Sequence, residues 1–300
     1  MRGSEGDHAP AGRLTAAAHR LTDPLPPLLV AAERVANTVA MGIHGRRRVG
    51  VGETFWQFRP YVPGDPMGRI DWRQTAKRDA PFVRELEWEA AQTVHLWRAD
   101  GPSMGYASSG AATSKRARAD LLVMALAVVL DRAGERVALL EGDRPAATGR
   151  SNLIRLADGL ATVIAATDHP LPATPQRLPP HGTVVLVGDF LAPLPETEAA
   201  FASLAARRQQ VHVIHLLDPA ERALPFKGRV RFEGLGQFAG TETLIPRVDT
   251  VRAVYQERLE AHCAGLEALC RGLGFRLSRH GTDQPVQAAL MSLAQGLSAR

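Results

Sequence analysis

The sequence predicts an α/β protein in which a mostly parallel sheet carries helices on both faces and a small β-rich subdomain comes first. Two observations predict the sheet. From about residue 92, short apolar runs alternate with longer segments of helical periodicity. The clearest run, residues 183–189 (TVVLVGD), is almost continuously apolar, which is typical of a strand buried on both faces. A third observation is that aromatic residues and Pro/Gly turns concentrate in residues 53–90, which predicts a β-rich subdomain with an aromatic core.

The elements follow in order along the chain. Residues 1–22 show no sustained period and are predicted to be a tail. A helix is predicted to begin at Pro26 and Pro27 and to end near Gly42, because apolar residues recur there at helical spacing. In the α/β part we expect strands at residues 93–99, 136–141, 183–189, 211–217 and 275–277, helices at 113–132, 152–166, 196–208, 250–271 and 284–297, and short edge strands at 229–232 and 243–245. The predicted domains are the tail (1–22), a helix with the small subdomain (23–90) and the α/β domain (91–300).

The composition is that of a globular protein with an Arg-rich surface. The 300 residues are 45% apolar and 22% charged, which is enough to bury a core without disulfides or metals. A net charge of +5 suits a phosphate-bearing partner, and all but three of the 36 basic side chains are arginines. Acidic residues interrupt nearly every basic stretch, so we favour charges spread over solvated faces. The exception is the basic patch Arg46, Arg47 and Arg48.

Membrane and redox signals both indicate a cytoplasmic protein. The longest apolar run, residues 121–130, is shorter than the ~20 residues that span a bilayer, and residues 1–20 contain no signal-peptide core. Cys263 and Cys270 are seven residues apart on a predicted helix, which separates them by roughly 10 Å, beyond disulfide reach. We therefore expect free thiols, a reducing compartment and no membrane span.

Oxygen-bearing residues follow two of the predicted strands. Asp100 and Ser103 come after the first strand of the α/β part, and Asp189 ends the strand at 183–189. Ligands of parallel sheets bind past the carboxyl ends of the strands, and such oxygens can hold a hard cation such as Mg²⁺. The alternative is that each residue caps a helix or a turn, and spacing alone favours capping.

Short catalytic patterns do not point to an enzyme. The sequence contains no H-E-x-x-H, no C-x-x-C and no P-loop pattern. A hydrolase that uses Asp71 or Asp100 lacks a recognisable partner residue and is the weakest alternative. We expect a protein without catalytic activity and without a cofactor.

The segment between the first helix and the sheet carries the most specific pattern. It includes Arg59, Tyr61, Gly64 and Asp65, followed by Arg69, Asp71, Trp72 and Arg73. Together with Pro102-Ser103-Met104 and Gly188-Asp189-Phe190, this pattern resembles the bacterial domain-of-unknown-function family 58. The resemblance implies a von Willebrand factor A or Rossmann-like fold behind a small N-terminal β region. It also implies MoxR-type AAA+ ATPases and other von Willebrand A proteins as partners.

The resemblance includes a departure at the metal-ion-dependent adhesion site of that fold. The site uses Asp-x-Ser-x-Ser after the first strand, commonly followed by Met. Aligning Ser103 with its last Ser places Ala99 at the Asp position and Gly101 at the first Ser. Ser103 and Asp189 remain as metal ligands, and Asp100 is displaced by one residue. We therefore expect a degenerate site that binds a partner without a metal.

Two classes of function remain open at this point. The favoured one is a non-enzymatic adaptor that docks a protein partner through the loops at the carboxyl edge of the sheet. The alternative is a nucleic-acid-binding protein that uses the basic patch and the nearby aromatic residues.

Overall fold

A computed structural model describes residues 26–43, 54–63, 65, 67–77, 81–87, 91–162, 170–234 and 240–298. The helices among them are α1 (Pro27–Ile43), α2 (Trp72–Thr75), α3 (Lys115–Arg132), α4 (Arg150–Thr162), α5 (Leu194–Ala206), α6 (Pro219–Ala223), α7 (Val248–Gly272) and α8 (Val286–Ser298). The strands are β1 (Thr54–Pro60), β2 (Phe82–Glu87), β3 (Thr93–Arg98), β4 (Arg136–Leu139), β5 (Thr183–Gly188), β6 (Gln210–Leu217), β7 (Val230–Glu233), β8 (Glu242–Ile245) and β9 (Arg276–Gly281). Short 3₁₀ helices span Met67–Arg69 and Pro102–Gly105.

The main sheet confirms the predicted fold class. Its order is β4-β3-β5-β6-β9, and each neighbouring pair runs parallel. The central strand β5 is buried at all six positions, because helices cover both faces of the sheet. The predicted strands and helices of the α/β part lie where expected, with ends displaced by a few residues.

Helix α3 lies at the centre of one face of the sheet. Residues 122–128 are buried without interruption, so this helix needs cover on its outer side as well as from the sheet. Helix α1 supplies that cover and also packs against α8. The stripe of α1 that becomes buried repeats at helical spacing and consists of Leu29, Ala32, Ala36 and Val39.

An aromatic row supports the other face of the sheet. Trp97 of β3, Phe190 after β5, Phe201 of α5 and Phe275 before β9 follow one another with ring centroids 6.1, 5.6 and 5.7 Å apart. Because all four rings are buried, they join α5 to three strands of the sheet.

The predicted short edge strands do not extend the main sheet. β7 and β8 pair with each other as an antiparallel ribbon, with Val230 opposite Ile245. Their side chains are half-buried or exposed, so the ribbon has too little apolar surface to join the sheet core. The prediction of two short strands is therefore confirmed, and they pair with each other instead of lying at an edge of the main sheet.

The small N-terminal unit is β-rich, as predicted, but one of its aromatic residues does not enter a core. β1 and β2 form an antiparallel pair, and Ile70 bridges to Val83. The side chain of Trp72 is 64% exposed, which contradicts the expected aromatic core at that residue. The predicted tail (1–22) and the basic patch Arg46, Arg47 and Arg48 lie outside the described residues, and the domain boundary near residue 90 stays a prediction.

The two cysteines are free thiols, as their spacing along a helix predicts. Cys263 and Cys270 are both unpaired and buried on α7. No helix within the described ranges combines the length and the apolar character that crossing a bilayer requires.

Three buried histidines of the sheet make its stability depend on pH. Burial lowers the pKa of His212, His215 and His280 from 6.5 to about 4 in each case. Between these values the unfolded chain binds protons that the folded chain does not. The free energy of unfolding should therefore fall from pH 6.5 to pH 4, by up to about 1.4 kcal/mol per pH unit for each histidine.

Urea unfolding at a series of pH values tests this prediction. His280→Gln should flatten the pH dependence by about one proton relative to the wild type. The control is His181→Asn, because His181 is exposed and its φ of 61° suits Asn. Equal slopes for the wild type and His280→Gln would contradict the prediction.

Candidate functional site

The carboxyl ends of β3, β5 and β6 form the edge of the sheet where a ligand site is expected. The strand order reverses between β3 and β5, since the chain passes from β3 to β4 on one side and returns to β5 on the other. Asp100, Asp189 and Asp218 follow these strands within two residues, on the face that α3 covers. We call Asp100, Lys115, Asp189, Asp218 and Glu221 the strand-end cluster.

Lys115 lies at the centre of the cluster. It is the first residue of α3, its side chain is 0% exposed, and its Nζ lies 2.8 Å from Oδ2 of Asp189 and 2.5 Å from Oε1 of Glu221. Burial alone would lower the pKa of Lys115, but the attraction of Asp189 and Glu221 outweighs burial and raises it. The cluster therefore contains a permanent internal cation.

Asp218 and Glu221 reach the cluster through a capping box at the start of α6. The Asp218 side chain accepts a hydrogen bond from the Ala220 N–H at 2.8 Å, and Glu221 Oε2 accepts one from the Asp218 N–H at 2.8 Å. The Ser108 N–H donates to Asp218 Oδ2 at 3.0 Å. Burial would raise the pKa of Asp218, but the hydrogen bonds from Ser108 and Ala220 lower it. Asp218 is thus an anion that ties the loop after β3 to α6.

Asp100 lies in a second network of ion pairs beside the first. Its Oδ1 is 2.7 Å from Nη1 of Arg98 and 2.8 Å from Nη1 of Arg116. Arg98 Nε also lies 2.7 Å from Asp120 Oδ1, and burial raises the pKa of Asp120 to about 6. Arg98 and Asp100 are buried, so the expectation that the basic side chains lie on solvated faces is wrong here.

Ser103 takes a structural position in the turn after β3. Residues 101–105 (GPSMG) have the G-x-S-x-G form of a nucleophile elbow. Ser103 lies instead in the 3₁₀ helix, outside the residues of positive φ, and its carbonyl accepts the Tyr106 N–H at 3.1 Å. The strained turn that exposes a catalytic serine is therefore not formed.

The residues expected to hold a metal do not fit a hard divalent cation. Asp189 is paired with the Lys115 ammonium, and Asp100 is paired with two guanidinium groups. Among the residues that the structure describes, no three His, Cys, Asp or Glu side chains form a group that could hold a metal ion. A cation at Asp189 would first have to displace the buried ammonium.

The loop above the cluster is uncharged. Residues 101–114 (GPSMGYASSGAATS) contain no acidic or basic side chain. The Lys115 N–H donates to the Tyr106 carbonyl at 3.1 Å, and Ser114 caps α3 by accepting the Ala117 N–H at 3.2 Å. The loop is thus attached to the start of α3 and adds no charge of its own to the site.

The motif residues divide into structural and outward-facing ones. Asp65 Oδ2 accepts the Val62 N–H at 2.9 Å, and Asp71 Oδ1 accepts the Arg73 N–H at 3.0 Å. Trp72 and Arg73 are exposed, and the Tyr61 N–H donates to the Pro81 carbonyl at 2.8 Å. The side chains of Arg59 and Arg69, together with Gly64, Arg46, Arg47 and Arg48, lie outside what the structure describes.

Sequence reasoning did not assign Lys115, Asp218 or Glu221 to the site, although one signal pointed to Lys115. The first turn of α3 carries Lys115, Arg116 and Arg118 and no acid, which opposes the preference of a helix N-terminus for negative charge. Such a conflict between local preference and position indicates a tertiary partner. Here Lys115 and Arg116 pair with carboxylates of the cluster, and Arg118 donates to the carbonyls of Thr282 and Gln284.

Comparison with known proteins gives a family match. The model of the family described as protein of unknown function DUF58 matches residues 57–265, more than half of the chain. Similar proteins include uncharacterized proteins of Mycobacterium bovis and Mycobacterium tuberculosis, each 27% identical over 248 residues, which cover 78% of this chain and 76% of the relative.

Solved structures with some likeness come from two Bacteroides species. One is described as an aerotolerance-related membrane protein from Bacteroides fragilis, with a TM-score of 0.42 and 16% identity. The other is a conserved hypothetical protein, BatB, from Bacteroides thetaiotaomicron, with a TM-score of 0.40 and 13% identity. Each likeness covers 70% of this chain and 100% of the other.

Removing the internal cation should strongly destabilise the fold. Lys115→Met leaves the buried carboxylate of Asp189 without its cation, and we expect the free energy of unfolding to fall by about 3–5 kcal/mol. The double variant Lys115→Met/Asp189→Asn should recover part of this loss, because the buried charge is removed as well. Urea unfolding at pH 7 measures both.

The control for this prediction is an ion pair on the surface. Arg271 is 75% exposed and pairs with Glu267 on the same helix. Arg271→Met should change the free energy of unfolding by less than about 1 kcal/mol. A Lys115→Met variant as stable as Arg271→Met would contradict the prediction.

Proposed function

The chain belongs to the DUF58 family, and on that premise we propose that it is a non-catalytic protein-interaction module that docks its partner without a divalent cation. The docking surface is the neutral loop at residues 101–114, above the strand-end cluster. The partner that the sequence resemblance implies is a MoxR-type AAA+ ATPase, and we propose a role as its adaptor in the assembly of other protein complexes.

The observation that carries this proposal is the buried Lys115 ammonium at Asp189. It stands at the edge of the sheet where a metal site of such a fold would hold its cation. Because the Lys115 side chain is 0% exposed, a partner's carboxylate does not reach it as it would reach an exposed metal ion. Recognition then depends on the shape and the hydrogen-bonding groups of the neutral loop.

The proposal of a non-catalytic role rests on the state of the carboxylates. Asp189 and Glu221 both pair with the Lys115 ammonium. Asp100 pairs with two arginine guanidinium groups. A carboxylate held in this way stabilises the fold, whereas a general acid or base needs an open side from which to reach substrate. The nucleic-acid alternative gains no support, because its basic patch lies outside the described residues and no observation favours it.

Metal independence is testable by thermal unfolding. We expect millimolar Mg²⁺ or Mn²⁺ and EDTA to give the same unfolding midpoint, since Lys115 already neutralises Asp189. Asp189→Asn serves as the control for binding at this site. A clear rise in the midpoint with Mn²⁺ that disappears in Asp189→Asn would contradict the proposal.

Partner docking is testable by co-purification. The tagged chain should retain the MoxR-type ATPase of its own organism, with a difference between ATP and ADP. Ala107→Arg/Ser109→Arg places two charges on the exposed part of the neutral loop and should abolish retention.

The matched control for co-purification is Ser203→Arg/Ala206→Arg. It adds the same charge to exposed positions of α5, away from the loop, and should retain the ATPase. Absence of the ATPase from the wild-type eluate with both nucleotides would contradict the choice of partner.

A further inference from the structure

A second surface with interface character lies in the small N-terminal unit. Among the described residues six large apolar side chains are exposed, and three of them fall within residues 62–72. Val62 is 56%, Met67 69% and Trp72 64% exposed. Trp and Met are enriched in protein interfaces, and Trp is a frequent binding hot spot. We call Val62, Met67, Trp72, Arg73 and Lys77 the Trp72 surface.

The backbone that carries these side chains is held by hydrogen bonds on both sides of Trp72. The Asp71 N–H donates to the Phe82 carbonyl at 2.9 Å, which ties the start of α2 to β2. The Thr75 hydroxyl donates to the Asp71 carbonyl at 2.9 Å and accepts the Phe82 N–H at 3.1 Å. The fold therefore presents Trp72 from a fixed position, and binding there costs little additional ordering.

Hydrogen bonds also hold the backbone at the other two apolar residues, Val62 and Met67. Val62 and Asp65 exchange hydrogen bonds, with the Val62 N–H donating to Asp65 Oδ2 at 2.9 Å and the Asp65 N–H donating to the Val62 carbonyl at 3.0 Å. The Ile70 N–H donates to the Met67 carbonyl at 3.2 Å and closes the 3₁₀ turn. These short segments hold their shape while their apolar side chains stay in water.

Among the described residues 61–77, the charged side chains that are exposed are both basic. Asp65 and Asp71 use carboxylate oxygens to accept backbone N–H groups, whereas Arg73 and Lys77 are exposed. The exposed charges of residues 61–77 are therefore positive, whereas the two carboxylates are half-buried. A complementary ligand carries acidic residues around an apolar side chain.

We propose that the Trp72 surface docks an acidic segment of a partner protein, with an apolar side chain of that segment packed on Trp72. The proposal goes beyond the proposed function, because it names a second surface made of other residues than the neutral loop. It does not depend on the ATPase: the same surface can hold a segment of any partner with this chemistry.

The test is a selection of peptides from a random twelve-residue display library on the immobilised wild-type chain, with counter-selection on Trp72→Ala. We expect the enriched peptides to carry a net negative charge and at least one large apolar residue. In fluorescence anisotropy, the best peptide should bind Trp72→Ala at least about tenfold more weakly than the wild type. Arg73→Glu/Lys77→Glu should weaken binding similarly, and added salt should weaken binding to the wild type.

Two controls separate the surface from general effects. Leu244→Ala removes an exposed apolar side chain of β8, and Arg144→Glu/Arg177→Glu makes the same change of charge at other exposed positions. Both should bind the peptide as the wild type does, and Trp72→Ala should keep the wild-type unfolding midpoint because its side chain is exposed.

Three outcomes would overturn the proposal. The first is a selection that enriches no peptide for the wild type over Trp72→Ala. The second is enrichment of basic or uncharged peptides. The third is Trp72-dependent binding of oligodeoxythymidine or of phosphatidylserine vesicles with no peptide bound, which would assign the surface to nucleic acid or to lipid. The ATPase co-purification is read separately, so failure of one proposal leaves the other standing.

Discussion

One ammonium group joins three parts of the chain that are distant in sequence. Lys115 opens α3, Asp189 follows β5, and Glu221 lies in α6. Removing these charges from water costs several kcal/mol per ion, so the arrangement depends on the elements that hold its members in place. The capping box of α6 fixes Glu221, and the packing of α3 between α1 and the sheet fixes the lysine. The loop after β3 is held in turn by two hydrogen bonds near its middle, from the Ser108 N–H to Asp218 and from the Lys115 N–H to the Tyr106 carbonyl.

Much of the α/β fold could be predicted from the sequence, because its elements depend on local periodicity. β5 is buried at every position, as its apolar sequence predicts. α3 is a largely buried helix, which its apolar run also predicts. The two short strands were also predicted, but their pairing was not. A four-residue strand pattern does not specify a partner, and β7 and β8 pair with each other.

The candidate site could be predicted only in part. Strand ends placed Asp100 and Asp189 at the correct edge of the sheet, since that rule is topological. The partners of these carboxylates could not be predicted. Lys115 and Asp189 are 74 residues apart in sequence, and no local pattern encodes such a contact. Composition added a clue that is visible afterwards: in a chain that uses arginine almost throughout, a lysine stands where a compact ammonium fits between two carboxylates. The exposure of Trp72 could not be predicted either, because a sequence rich in aromatic residues does not show which of them face water.

The packing of α1 determines when the chain can complete its fold during synthesis. The apolar stripe of α1 leaves the ribosome before α3, the helix that covers it, has been made. α1 also contacts α8, which lies near the far end of the described residues. Helices far apart in sequence therefore close the same core, and a nascent chain that has not yet reached α8 cannot cover α1 fully. Until then, part of the apolar surface of α1 is accessible to chaperones that bind such segments.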